Sequence, residues 1–96
     1  MFVVGVMGGS LGSALLNDAV TAANVDDRLN AVFWFHVTGE RYAGSAATDS
    51  NRITVPYLAD MPSFYAACDI VLCRAGASTV AEISTVGIPS ILVPWA

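Results

Sequence analysis

Two glycine-containing turns carry the residues able to do chemistry in this sequence. The first is Gly8-Gly9-Ser10-Leu11-Gly12, which follows an apolar run and precedes a helix-patterned one. Glycines let the backbone come close to a ligand, and the helix N-terminus beyond them offers unpaired N–H groups and about half a positive charge. Such a turn can bind a diphosphate without a lysine, and this sequence contains no lysine. The same five residues spell G-x-S-x-G, the nucleophile-elbow pattern of hydrolases, with Ser10 as nucleophile. A plain strand-to-helix turn is the third reading. The full G-x-G-x-x-G spacing is absent, so a nicotinamide dinucleotide has little support.

The second turn runs from Arg74 to Glu82, RAGASTVAE. Thr79 and Glu82 have the S/T-x-x-E spacing of a capping box, which would make Glu82 a helix cap. The functional alternative is a carboxylate that accepts hydrogen bonds from a ribose diol, as acids do in nucleotide folds. Arg74 ends an apolar run and is expected either to pair with Asp69 or Glu82 or to touch a phosphate. The sole histidine, His36, closes another apolar run, where a locally hydrogen-bonded strand end is the expectation and catalysis the alternative. The hydrolase reading lacks partners. Its fold places the histidine late, after the acid, whereas only Asp18, Asp26 and Asp27 lie between Ser10 and His36. Phe33, Trp34 and Phe35 read as core rather than as a base-stacking platform.

The elements that must hold these turns are short and apolar. The chain has 96 residues, 55% hydrophobic and 12% charged, with a net charge of −4. That suits one domain with a core and excludes a disordered tail. The acidic balance argues against nucleic-acid binding, and the missing lysine excludes a P-loop. Cys68 and Cys73, five apart in an apolar stretch, fit neither zinc spacing nor a disulfide framework, so two thiols in a reducing cytosol are expected. The longest uncharged run, Met1 to Asn17, is 17 residues with interspersed Gly and Ser. A spanning helix needs ~20 apolar residues, so a strand, turn and helix is the better reading. No basic residue precedes the run as a signal peptide would require.

Strands are expected at Phe2–Met7, Ala31–Thr38, Ile53–Leu58, Asp69–Cys73 and Ser90–Val93, all without polar alternation. Helices are expected over Ser13–Ala23, from Asp60 to about Ala67, and over Ser78–Val86, stopped by Gly87-Ile88-Pro89. Val25–Asn30 and Glu40–Arg52 read as surface loops, the second with one possible helical turn. Strands alternating with helices give an α/β fold: a parallel sheet with helices on both faces. A fifth strand with nothing after it leaves a sheet face uncovered, so the chain reads as part of a larger protein, cut near Ala96.

GGSLGS with ALLN, then FHVTGE, then the stretch from Tyr57 to Pro94 closely resemble the C-terminal, donor-binding half of the MurG-type glycosyltransferases of peptidoglycan synthesis. The resemblance covers nearly the whole chain. It implies a GT-B architecture, two Rossmann-like domains around a cleft, with residues 1–96 a truncated UDP-sugar donor-binding domain. It further implies transfer of N-acetylglucosamine from UDP-N-acetylglucosamine to lipid I, giving lipid II, with inversion and without a metal or other cofactor. By the match, Glu82 binds the ribose and Ser10, with Gly9 and Gly12 beside it, meets the diphosphate. Leu58 offers a backbone group to the uracil, and Ala77, Ser78, Thr79 and Val80 line the nucleotide. The family's acceptor half, its proposed histidine base and the sugar-holding stretch after the fifth strand have no counterpart in these residues. No catalytic residue is therefore assigned, and lipid I and membrane contact are expected only through the missing half. The implied location is the cytoplasm, at the inner face of the bacterial plasma membrane. The rival reading is a Rossmann-type nucleotide-binding or interaction module without catalysis, and a longer reading frame with G-x-G-G-H-like loops would separate the two.

Overall fold

The computed structural model describes residues 2–8, 13–42 and 51–94. Five strands, β1 (Phe2–Met7), β2 (Val32–Val37), β3 (Arg52–Val55), β4 (Ile70–Arg74) and β5 (Ser90–Val93), form one sheet in the order β3-β2-β1-β4-β5. Every pairing is parallel, as the non-alternating apolar runs predict. In the central register, Met7 lies between Val37 and Cys73. Three helices, α1 (Ala14–Asn24), α2 (Met61–Ala67) and α3 (Ala77–Val86), connect the strands.

Side chains alternate across the sheet, so each strand feeds two cores. Met7, Val37, Val71 and Cys73 pack with Phe64 and Tyr65 of α2 and Ile83 of α3. Val6 and Trp34 pack on the other face with Leu16 and Val20 of α1. Phe64 is fully buried and meets Phe35 edge-on, with ring centroids 5.1 Å apart. Gly5 makes room for that ring. A Cβ there would overlap Cys68 Sγ and stand 2.7 Å from Phe64 Cζ. Both cysteines are free; burial and the Asp69 charge push the Cys68 thiol up to about 11. On edge strand β5, Ile91 and Leu92 point to opposite faces and both are exposed.

Several boundaries differ from expectation for identifiable reasons. Ser13 is the cap of α1 rather than its first residue, its Oγ accepting from Leu16 N–H at 3.4 Å. β3 ends at Val55, because Pro56 has no N–H to continue the ladder. β4 takes in Arg74, and α3 begins one residue early at Ala77. The expected loops carry 3-10 turns at Asp27–Leu29 and Glu40–Tyr42. Asp60 caps α2 as expected, with Oδ1 accepting from Ser63 N–H at 3.2 Å and Oδ2 from the Ser63 hydroxyl at 2.6 Å. Gly87 ends α3 at φ 78°, a left-handed conformation that favours glycine.

Candidate functional site

The strand order reverses direction between β1 and β4, and open α/β sheets bind ligands outside the carboxyl ends of the strands at such a point. A cavity of about 210 Å³ opens at the carboxyl ends of β1 and β2, on the β2 side of that point. Met7 and Val37, at the ends of β1 and β2, form its floor, and Pro56, Tyr57 and Leu58 form the turn after β3. Met61 and Tyr65 of α2 face Thr79 and Glu82 of α3 across it. A mostly apolar groove of about 470 Å³ shares Met61, Tyr65 and Glu82 and continues to Val86.

Of the residues singled out in the sequence, Leu58, Thr79 and Glu82 come together in this cavity. Ala77 and Ser78 are exposed in the first turn of α3, and half-buried Val80 lies outside the lining. Gly9, Ser10 and Gly12 lie outside the described residues, while Gly8, directly before them, is buried at the end of β1.

The capping-box expectation fails. The cap of α3 is Gly76, with extended backbone (φ −76°, ψ 150°) and no side-chain hydrogen bond, and Val80 N–H bonds to Gly76 O at 2.9 Å. Thr79 is therefore the third helical residue and Glu82 the sixth, in the second turn rather than the first. Glu82 is too far along the helix to reach an orphan N–H. Its partner is the Tyr65 hydroxyl, which donates to Oε1 at 2.6 Å. Burial first, then the Glu82 carboxylate, pushes the Tyr65 phenol well above its ordinary range, so it remains a donor.

Arg74 does not use Asp69 or Glu82 in the expected way. Its Nη2 donates to Pro94 O at 2.9 Å, while Asp69 Oδ2 accepts from Val3 N–H at 2.7 Å. His36 is fully buried and bonded across the fold rather than locally, with Nε2 2.8 Å from Asn17 Oδ1. Burial and the nearby Arg52 charge push its pKa down to about 4. A neutral imidazole sealed in the core cannot act as the general base for a nucleophile that substrate must reach, which removes the hydrolase reading. Trp34 and Phe35 pack in the cores as expected, whereas Phe33 is half-buried and joins neither core. Among the described residues, no cluster of three or more metal-ligating side chains occurs.

The comparisons with known proteins agree with this frame. The model of the glycosyltransferase family 28 C-terminal domain matches residues 3–96. The chain belongs to the family 28 C-terminal domains. It is 45% identical over 93 residues to the UDP-N-acetylglucosamine--N-acetylmuramyl-(pentapeptide) pyrophosphoryl-undecaprenol N-acetylglucosamine transferase of Mycobacterium bovis (strain BCG / Pasteur 1173P2), covering 93% of the chain and 23% of the relative. The protein of the same name in Xanthomonas axonopodis pv. citri (strain 306) is 43% identical over 96 residues, covering 95% of the chain and 22% of that relative. The crystal structure of Acinetobacter baumannii MurG superposes with a TM-score of 0.76 at 30% identity, covering 98% of the chain and 29% of that structure. The chain thus spans less than a quarter of the length of these curated relatives.

In this family 28 domain, sequence reasoning missed Tyr65 and Met61. Their i, i+4 spacing on one face of α2 was a usable signal that both point the same way. That the face meets Glu82, 17 residues on, is a tertiary fact that no local pattern encodes.

Proposed function

We propose that this chain is the donor-nucleotide-binding part of an inverting glycosyltransferase that moves N-acetylglucosamine from UDP-N-acetylglucosamine to lipid I. The observation that carries the reading is the Glu82 carboxylate, tied to Tyr65 in the wall of a cavity at the carboxyl ends of β1 and β2, with Leu58 in the same lining. A carboxylate only accepts hydrogen bonds, so it suits the ribose hydroxyls. Leu58 offers its backbone to the uracil, and Ala77, Ser78, Thr79 and Val80 carry the nucleotide along the start of α3. The uncapped N-terminus of α3 and the Gly8–Gly12 turn, with Gly9, Ser10 and Gly12, supply N–H groups for the diphosphate.

In the reaction, the acceptor hydroxyl oxygen attacks the anomeric carbon as the bond from that carbon to UDP breaks. UDP leaves with the electron pair, the hydroxyl proton passes to a base, and the configuration inverts. This chain's share is to stabilise charge growing on the diphosphate with fixed N–H dipoles. Acceptor, base and contact with the inner face of the plasma membrane belong to the rest of such a protein. Among the described residues, no helix is long and apolar enough to cross a membrane.

Calorimetric titration of the chain with UDP and with ADP tests the reading. Saturable binding that favours UDP, with amide shifts at Leu58 and Thr79, is expected. Absence of UDP binding, or equal binding of ADP, overturns it.

A further inference from the structure

We propose that Tyr65 is the positioning residue of this site: it holds one oxygen of Glu82 so that the other meets the sugar hydroxyls, and it thereby selects nucleotides that carry those hydroxyls over dideoxy ones. The inference rests on the reading of the cavity as a nucleoside diphosphate site and adds to it a residue and a selectivity.

The geometry is specific. Tyr65 is 4% exposed, and its ring is fixed in the core against Phe64, with centroids 5.6 Å apart and planes at 66°. Its hydroxyl donates to Glu82 Oε1 at 2.6 Å, the short distance of a charge-assisted bond. Glu82 itself is an exposed side chain on a neighbouring helix. Without that bond it is a flexible carboxylate whose rotamers must be frozen when a ligand binds. With it, the carboxylate is oriented before the ligand arrives. The buried phenol is locked, and a locked donor fixes the acceptor it holds.

The chemistry of the pair sets what the remaining oxygen can take. A carboxylate has no proton to donate and repels phosphate, so its ligand partner must be a neutral donor. In a nucleoside diphosphate, the ribose hydroxyls are the donors of that kind nearest the diphosphate. A 2′,3′-dideoxyribose analogue offers that oxygen no donor and so forfeits the hydrogen bond to a charged, pre-oriented acceptor. Met61 and Tyr65, lining both the cavity and the adjoining groove, supply an apolar wall.

The test compares UDP with 2′,3′-dideoxyuridine 5′-diphosphate on the full chain and on Tyr65→Phe, Glu82→Gln and the double variant, by calorimetry, with thermal melts as a folding control. Tyr65→Phe keeps the ring and removes only the donor. The parent chain should prefer UDP by about 10- to 100-fold, and Tyr65→Phe should weaken UDP binding about 3- to 10-fold. The same variant should leave the dideoxy analogue's affinity unchanged, which a packing role would not do. The double variant should bind UDP no more weakly than Glu82→Gln, because the hydroxyl acts through the carboxylate. An equal loss for both ligands, or no loss for either, overturns the inference. UDP binding weakened by Glu82→Gln but untouched by Tyr65→Phe overturns it while sparing the site, whereas UDP binding untouched by Glu82→Gln overturns the site reading as well.

Discussion

Asn17 and His36 join α1 to the end of β2 through a hydrogen bond between a half-buried amide and a fully buried imidazole. Asn17 Nδ2 donates to Thr38 O at 3.0 Å, which turns Oδ1 toward His36 Nε2 at 2.8 Å. The amide oxygen can only accept, so Nε2 carries the hydrogen and Nδ1 is the bare nitrogen. Nδ1 is buried and has no hydrogen-bond partner among the described residues. The pair anchors the first turn of α1 to the sheet beneath it.

That pair makes the fold acid-sensitive. Burial, reinforced by Arg52, lowers the His36 pKa from 6.5 to about 4. The unfolded chain binds a proton near pH 6.5, and the folded chain does so only near 4. Above pH 6.5 both states are neutral and the residue adds no slope. Between 6.5 and 4 the unfolded state holds more protons, so stability falls as the pH falls. The loss approaches about 2–3 kcal/mol at pH 4, at roughly 1.4 kcal/mol per pH unit. Urea unfolding at pH 7.5, 5.5 and 4.5 should show it, and His36→Gln should flatten the slope. An unchanged slope in that variant would mean that other groups set the acid limit.

Gly5 leaves no space for a methyl group. A Cβ there collides with Cys68 Sγ and with the Phe64 ring, which is fully buried and pinned by Phe35. Gly5→Ala should cost about 1–3 kcal/mol, the range for overpacking a filled core. Adding Phe64→Leu should recover part of that loss, since the two changes share one site. Denaturant midpoints of the single and double variants check this, and simple additivity would refute it.

The chain alone should bind UDP and transfer no sugar. Its sole histidine is sealed in the core, so no exposed imidazole is present to take the acceptor's proton. Its relatives carry more than three-quarters of their length outside the matched region. Incubation with UDP-N-acetylglucosamine and lipid I, followed by an assay for released UDP, should give no product above the rate without protein. Turnover near that of a full-length relative would place acceptor binding within these residues.

The parallel sheet was legible because each buried strand is an apolar run closed by its own punctuation. β5 was found whole, since Gly87-Ile88-Pro89 both ends α3 and starts the strand cleanly. β3 was overrun because its apolar pattern continues past Pro56, although the ladder cannot. The position of Glu82 was harder. S/T-x-x-E spacing marks a cap only where the first residue is extended, and here the extended residue is Gly76, with the helix already running from Ala77. Tyr65–Glu82 and Asn17–His36 both cross between elements, 17 and 19 residues apart. Spacing rules that work within one helix or strand have no purchase on such pairs.

The misplaced capping box yields the last prediction, on stability alone. A capping glutamate would hold an orphan N–H in the first turn, and losing a cap typically costs ~0.5–2 kcal/mol. Glu82 instead lies in the second turn, exposed, with a tyrosine hydroxyl as partner. Gln keeps an acceptor for that hydroxyl and the same length, so Glu82→Gln should unfold within ~0.5 kcal/mol of the parent, the usual limit for a surface change. Thr79 is the third residue of α3 rather than its cap, so Thr79→Ala should also stay within ~0.5 kcal/mol, helped by alanine's better helix propensity. Guanidinium unfolding of both variants, without nucleotide, is the measurement. A loss above about 1 kcal/mol in both, with α3 fraying at its N-terminus in amide exchange, would restore the capping role and leave the carboxylate with no free function at the cavity wall.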